Sequence, residues 1–292
     1  MVSKVEPNRM HEILRFAQND DKIELFSDNE SKSSMKKAIL LLFFFVGLTS
    51  SVLAEEQEKW KESRSSHFLI YYNQSPEDFV KNVELSAEEE YETIAQNLGF
   101  TRYEGWTWDQ RAKIYIYDDQ EHYIGARNIS WSHGMALVKE KVIRTFPTAA
   151  GFFDSILPHE LGHIIFREFV GYKSKIPLWL DEGVAMYQEK AKRWGANKLV
   201  TKALAEGKFI PLKQLSQIML NDNSDQATVE LFYAEAASIV YFMITELGDY
   251  RFVNFCRQLK EGCRMDDAIH RAYARFENMN DLNDVWVKYL SP

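Results

Sequence analysis

His159-Glu160-Leu161-Gly162-His163 sets two imidazoles four residues apart with a carboxylate beside the first. On a helix, four residues advance about 400° and about 6 Å, so both imidazoles leave one face, one turn apart. Two neutral imidazoles so placed can bind one Zn²⁺, and Glu160 can reach a water on that metal as a general base. After eighteen intervening residues comes Glu182, within Trp179-Leu180-Asp181-Glu182-Gly183. That interval is enough to leave one helix, turn and start another, which makes Glu182 the natural third ligand. Two His and one Glu leave a fourth position open, the pattern of a catalytic rather than a structural zinc. The competing reading is an ordinary amphipathic helix with two core histidines. The apolar flanks Phe152-Phe153 and Ile164-Ile165-Phe166, and the spacing to Glu182, weigh against it.

The elements that must hold these residues are readable in outline. His67 to Tyr72 and Arg111 to Tyr117 have strand character, and the latter alternates. Glu77 to Leu98 reads as a long helix with Ser75 as N-cap, Pro76 at its first position and Gly99 at its end. Ser130 to Val138 and Lys141 to Thr145 are two further strands, a hairpin or an irregular edge. Beyond Pro147 the pattern is helical almost throughout. The active-site helix is expected over about Thr148–Phe169, with Pro158 either starting a new helix or kinking one. Further helices are expected over Leu178–Arg193, Asn197–Glu206, Leu212–Met219, Tyr233–Leu247, Tyr250–Leu259, Asp266–Ala274 and Leu282–Leu290. Asn221 to Gln226 reads as a polar loop.

With these residues in hand, the chain resembles the gluzincin zinc metallopeptidases, and most of all the peptidase MA-like domain proteins. His-Glu-Leu-Gly-His and Pro177-Leu178-Trp179-Leu180-Asp181-Glu182-Gly183-Val184-Ala185 carry the resemblance. It is strong over residues 157–187 and a matter of pattern from about His67 to Leu290. It implies an α+β fold with a thermolysin-like zincin core: a small N-terminal α/β lobe with a mixed sheet (55–147), then a mainly helical lobe (148–292), the metal at their junction. It also implies a tyrosine downstream that helps hold the oxyanion, and Tyr233, in Tyr233-Ala234-Glu235-Ala236-Ala237-Ser238, is the candidate; the alternative is a tyrosine that caps or packs its helix. An edge strand that pairs with extended substrate falls on Gly134, Met135 and Ala136. No Glu follows Met135, so the carboxylate that grips a free substrate N-terminus in the aminopeptidase branch is missing, which favours an endopeptidase or a specialised hydrolase. The Asp that accepts the other N–H of a metal-bound His in thermolysin-like enzymes lies four residues after the glutamate ligand, and that position is Met186 here. Asp181 or Asp154 could replace it, though Asp181 reads more simply as a charge at a helix N-terminus. His67, His122, His133 and His270 read as structural, and Trp179 as a core anchor.

Composition bounds the rest. The net charge is −8, and residues 1–54 contribute seven basic and seven acidic side chains, so the excess acid falls on residues 55–292. An acidic chain without a basic run is a poor nucleic-acid binder. Met35-Lys36-Lys37, the uncharged run Ala38–Leu48 and Val52-Leu53-Ala54 together read as a signal peptide (35–54) cut after Ala54. Residues 1–34 then become a non-native extension, with translation starting at Met35. The alternative is a membrane anchor over residues 38–54, at the lower limit of a spanning length. Cys256 and Cys263 could close a short disulfide or stay as two thiols. The expectation is therefore an exported, periplasmic or extracellular zinc metallopeptidase with a peptide or protein substrate, no nucleic-acid partner and no membrane span after signal cleavage. The alternative from another class is a catalytically degenerate zincin that binds peptides or envelope proteins without cutting them.

Overall fold

The computed structural model describes residues 60–101, 110–125, 135–189, 195–221 and 224–291. The expected extension, the signal segment, His133 and Gly134 lie outside them. A five-stranded mixed sheet opens the fold: β1 (Lys61–Arg64), β2 (Phe68–Tyr72), β3 (Ala112–Ile116), β4 (Met135–Leu137) and β5 (Val142–Thr145), in the order β1-β2-β3-β5-β4. β2, β3 and β5 run parallel, and β1 and β4 are antiparallel edges. Alternation decides the faces. Phe68, Ile70, Ala112, Ile114, Ile116 and Ile143 are buried on one side, and the register sets Ile70 opposite Ile114 and Ile114 opposite Ile143. On the other side Tyr71 stacks on Tyr115 at 4.8 Å, and the Arg144 guanidinium lies over Tyr115. β1 carries no apolar alternation, so it stands where the sequence reads as a polar lead-in.

The first helix, α1 (Glu77–Asn97), buries Val80, Val83, Ala87 and Ile94 on one stripe and packs on both β2 and the helix that carries His159 and His163. Ser75 is not its cap: Pro76 occupies that position without a side-chain bond, and the Ser75 hydroxyl donates to the Tyr117 carbonyl. A short α2 (Gln120–Gly125) follows β3. Met135–Leu137 and Val142–Thr145 form a hairpin, with Lys141 at φ 53° in its turn.

The helical lobe comprises α3 (Leu157–Val170), α4 (Leu178–Gln188), α5 (Ala196–Ala205), α6 (Leu212–Leu215), α7 (Gln226–Tyr241), α8 (Asp249–Lys260), α9 (Met265–Tyr273) and α10 (Met279–Leu290) among the described residues. Pro158 falls in the first turn of α3, directly after a single π-helical turn, Phe152–Ile156, and the backbone stays helical across the junction, so the proline sits within a continuous helical run and does not open a new helix. α4 ends at Gln188, short of the expected Arg193, and α6 is one turn where a longer helix was expected. α7 starts a full turn or more before Tyr233, because the Asp225 carboxylate accepts from the Thr228 N–H and caps it. Cys256 and Cys263 are both free thiols.

α7 continues through a second π turn, Phe242–Glu246. By length and composition this run could cross a membrane, but most of it is packed inside the fold. It carries one acid into the core. Glu235 is fully buried; one carboxyl oxygen accepts from the Ile210 N–H and the other has no partner among the described residues. Burial pushes its pKa up to about 8. The unfolded chain therefore releases this proton near pH 4.5 while the folded chain keeps it, so stability drains away as pH rises from about 4.5 to 8, at up to about 1.4 kcal/mol per pH unit. Glu235→Gln should flatten that slope and be more stable than the parent at pH 8. Urea midpoints at pH 5 and pH 8 test this; equal pH slopes in parent and variant would mean that Glu235 is ionised in the fold.

Candidate metal centre

α3 is buried almost all round; Glu160, Arg167 and Glu168 are the half-buried exceptions. It presents His159 and His163 one turn apart towards Glu182, which sits in the first turns of α4. The three ligand atoms form a tight triangle. His159 Nε2 and His163 Nε2 are 3.2 Å apart, and Glu182 Oε2 lies 3.7 Å from the first and 3.8 Å from the second. A point equidistant from the three, in their plane, is about 2.1 Å from each, which matches zinc bonds to imidazole nitrogen and carboxylate oxygen. Among the described residues this is the one group of His, Cys, Asp and Glu side chains able to hold an ion in this way.

The polar accounting points the same way. Glu182 Oε2 is buried and has no hydrogen-bond partner, a costly state for a carboxylate unless a cation completes it. Burial raises the Glu182 pKa, against the pull of His163 and His159. Burial alone would lower His163, but the Glu182 and Asp181 carboxylates outweigh it and hold the imidazole at about 9. Without metal, then, His163 keeps a proton at neutral pH, and metal binding has to displace it.

Each imidazole has a carboxylate behind it. His159 Nδ1 is 2.9 Å from Glu189 Oε1, and His163 Nδ1 is 3.3 Å from Asp181 Oδ1. A hydrogen bond at Nδ1 fixes the ring with Nε2 facing the centre of the triangle, as the partners of metal-bound histidines do. Asp181 is thus more than a helix-end charge: Arg167 donates to it through Nε at 2.9 Å and Nη2 at 2.7 Å. Burial would raise Asp181, but His163 and Arg167 together hold it at about 2. Asp154 is exposed and plays no part. The second carboxylate, Glu189, was missed by sequence reasoning: it lies one residue past the end of α4 on extended backbone, so helical periodicity does not place it.

Tyr233 lies in the middle of α7, not at its start. Its hydroxyl is buried without a partner among the described residues, and burial, then the Glu182 and Glu189 charges, push its pKa well above 10. It therefore stays a donor at any working pH. Met135 and Ala136 lie on the edge strand β4. The remaining described histidines sit elsewhere: His67 pairs with Glu88 at 2.6 Å, the Asp118 N–H donates to His122 Nδ1, and His270 Nδ1 bonds the Phe276 carbonyl. Trp179 is buried, with its indole N–H donating to Ser216.

A family model described as the Peptidase MA superfamily matches residues 98–292. The chain belongs to the Peptidase MA superfamily. The match takes in His159, His163 and Glu182 of this superfamily member and all of α3 to α10. No curated protein matches the chain. Among solved structures, native yeast LTA4 hydrolase is similar at 16% identity and TM-score 0.46, over 80% of this chain and 39% of that one. Leukotriene A4 hydrolase from Saccharomyces cerevisiae gives 17% and 0.44, over 79% and 38%. The yeast enzyme in complex with bestatin gives 16% and 0.39, over 79% and 36%. The chain spans about two fifths of the length of these structures.

Proposed function

We propose that this chain is a zinc-dependent metallopeptidase that hydrolyses peptide bonds. The observation that carries the reading is the buried triangle of His159, His163 and Glu182 around an unpartnered carboxylate oxygen. Zinc bound there would acidify water and polarise a carbonyl. The chain's own residues supply the rest. Glu160, half-buried beside His159, is free of the metal triangle, and its charge acts on both His163 and Glu182. It accepts the proton of the attacking water and passes it to the leaving amine nitrogen. The Tyr233 hydroxyl donates to the oxygen that gains charge in the tetrahedral adduct. Asp181 and Glu189 keep the two imidazoles turned. Substrate in extended form would pair with the backbone of β4, with Gly134 just ahead of it.

The test is metal content by mass spectrometry on the full chain purified without added metal, beside Glu182→Ala. One zinc per parent chain is expected, lost or greatly weakened in the variant. A parent that takes up none even after dialysis against zinc ends the proposal. The reading also includes export, supported by the Met35–Ala54 pattern. N-terminal sequencing of protein recovered outside the cytoplasm should begin at Glu55; a start at Met1 or Val2 would favour the anchor instead.

A further inference from the structure

Glu189 has an unusual task. It follows the last residue of α4 on extended backbone, at φ −74° and ψ 104°. Yet the carboxylate is almost wholly buried and uses both oxygens in different directions. Oε1 meets His159 Nδ1, and Oε2 accepts from the Ser155 hydroxyl. Ser155 belongs to the π turn ahead of α3, which Gly151 opens at φ 70° and an Ile156 N–H to Gly151 carbonyl bond closes. π turns of this kind are frequent at functional sites. Ser155 and His159 are four apart and reach the same carboxylate, one on each oxygen.

Resting on the zinc reading above, we propose that Ser155 is a positioning residue for the metal centre, acting through Glu189 on His159. The hydroxyl holds Oε2, which leaves Oε1 aimed at Nδ1 and so keeps Nε2 on the ion. Arg167 does the same for Asp181 on the His163 side, with a charged donor where Ser155 is neutral. Outer-shell partners of metal histidines typically govern metal affinity by about 10–100-fold, and a group one bond further out should act at the lower end of that range.

The experiment measures zinc affinity of the full chain by chelator competition at fixed pH. Ser155→Val and Ser155→Thr have the same shape and differ in the hydroxyl, so their comparison separates positioning from packing, and Ser155→Ala supplies a smaller side chain. Ser155→Val and Ser155→Ala should bind zinc about tenfold more weakly than the parent, with Ser155→Thr close to it. Unfolding midpoints of the metal-free Val and Thr variants should agree. In a Glu189→Ala background the Ser155→Val effect should vanish, because the group that links the hydroxyl to His159 is gone. Equal zinc affinity of the Val and Thr variants, or additive losses with Glu189→Ala, would overturn the inference while leaving the metal centre intact. A parent that binds no zinc would overturn both.

Discussion

Glu160→Gln should keep its zinc and lose peptide hydrolysis by a factor of about 10²–10⁴, the usual contribution of a general acid–base residue. The amide keeps the shape and the hydrogen-bonding reach of the acid but cannot take a proton. Glu160 lies outside the ligand triangle, so metal content should stay at one zinc per chain. The variant removes a negative charge felt by His163 and Glu182, so a small change in zinc affinity is expected. The two readouts need to be taken on one sample: zinc by mass spectrometry and turnover of a peptide library by product analysis. Zinc retained with hydrolysis gone supports the assigned role. Hydrolysis within a few-fold of the parent would remove Glu160 as the base. A zinc-loaded parent that cuts nothing while binding the same peptides would instead favour a protein that uses the cleft to bind.

The parts of this site that depend on local geometry were legible in the residues. An i, i+4 histidine pair shares a helix face whatever surrounds it, and eighteen residues leave room for the turn that returns Glu182. The parts that depend on where an element stops were not. Glu189 does its work because α4 ends at Gln188, a boundary the expected helix to Arg193 concealed. Tyr233 reads as a helix start only if Asn221–Gln226 is taken as loop; the Asp225 cap places it well inside α7. Asp181 looked like a charge serving a helix dipole, since its real partners, His163 and Arg167, come from another helix. β1 is paired at the sheet edge through its backbone and carries polar side chains, and such pairing leaves no apolar signature. β3, by contrast, carries its alternation openly.

Gly183→Ala should destabilise the fold by about 3 kcal/mol or more, at or beyond the upper end of ordinary overpacking. A Cβ on Gly183 would stand 2.3 Å from the Ala236 carbonyl oxygen, 2.9 Å from its carbon and 2.7 Å from Val240 Cγ2. Two of those three atoms are backbone, so no rotamer change relieves the clash and α4 and α7 have to part. They form the most extensive helix contact among the described residues. Gly162 plays the same part between α3 and α4, where a Cβ would meet the Ala185 Cα at 2.9 Å. For a domain of this size, a loss of that magnitude lowers the melting temperature by roughly 6–12 °C. Gly125→Ala, where an added Cβ meets nothing within 4 Å, should shift stability by less than about 0.5 kcal/mol and serves as the control. Parent-like melting of Gly183→Ala would mean that the two helices lie further apart than described. Gly183 adjoins the third ligand, and Ala236 follows Tyr233 by less than one turn of α7. Separating these helices therefore moves Glu182 away from the histidines and the tyrosine away from Glu182 together, so zinc affinity should fall along with stability. A loss of stability that left zinc affinity untouched would show that the ligand's reach is set elsewhere. The close approach the glycine permits is thus what brings a carboxylate from one helix, and a hydroxyl from the next, to the same buried point.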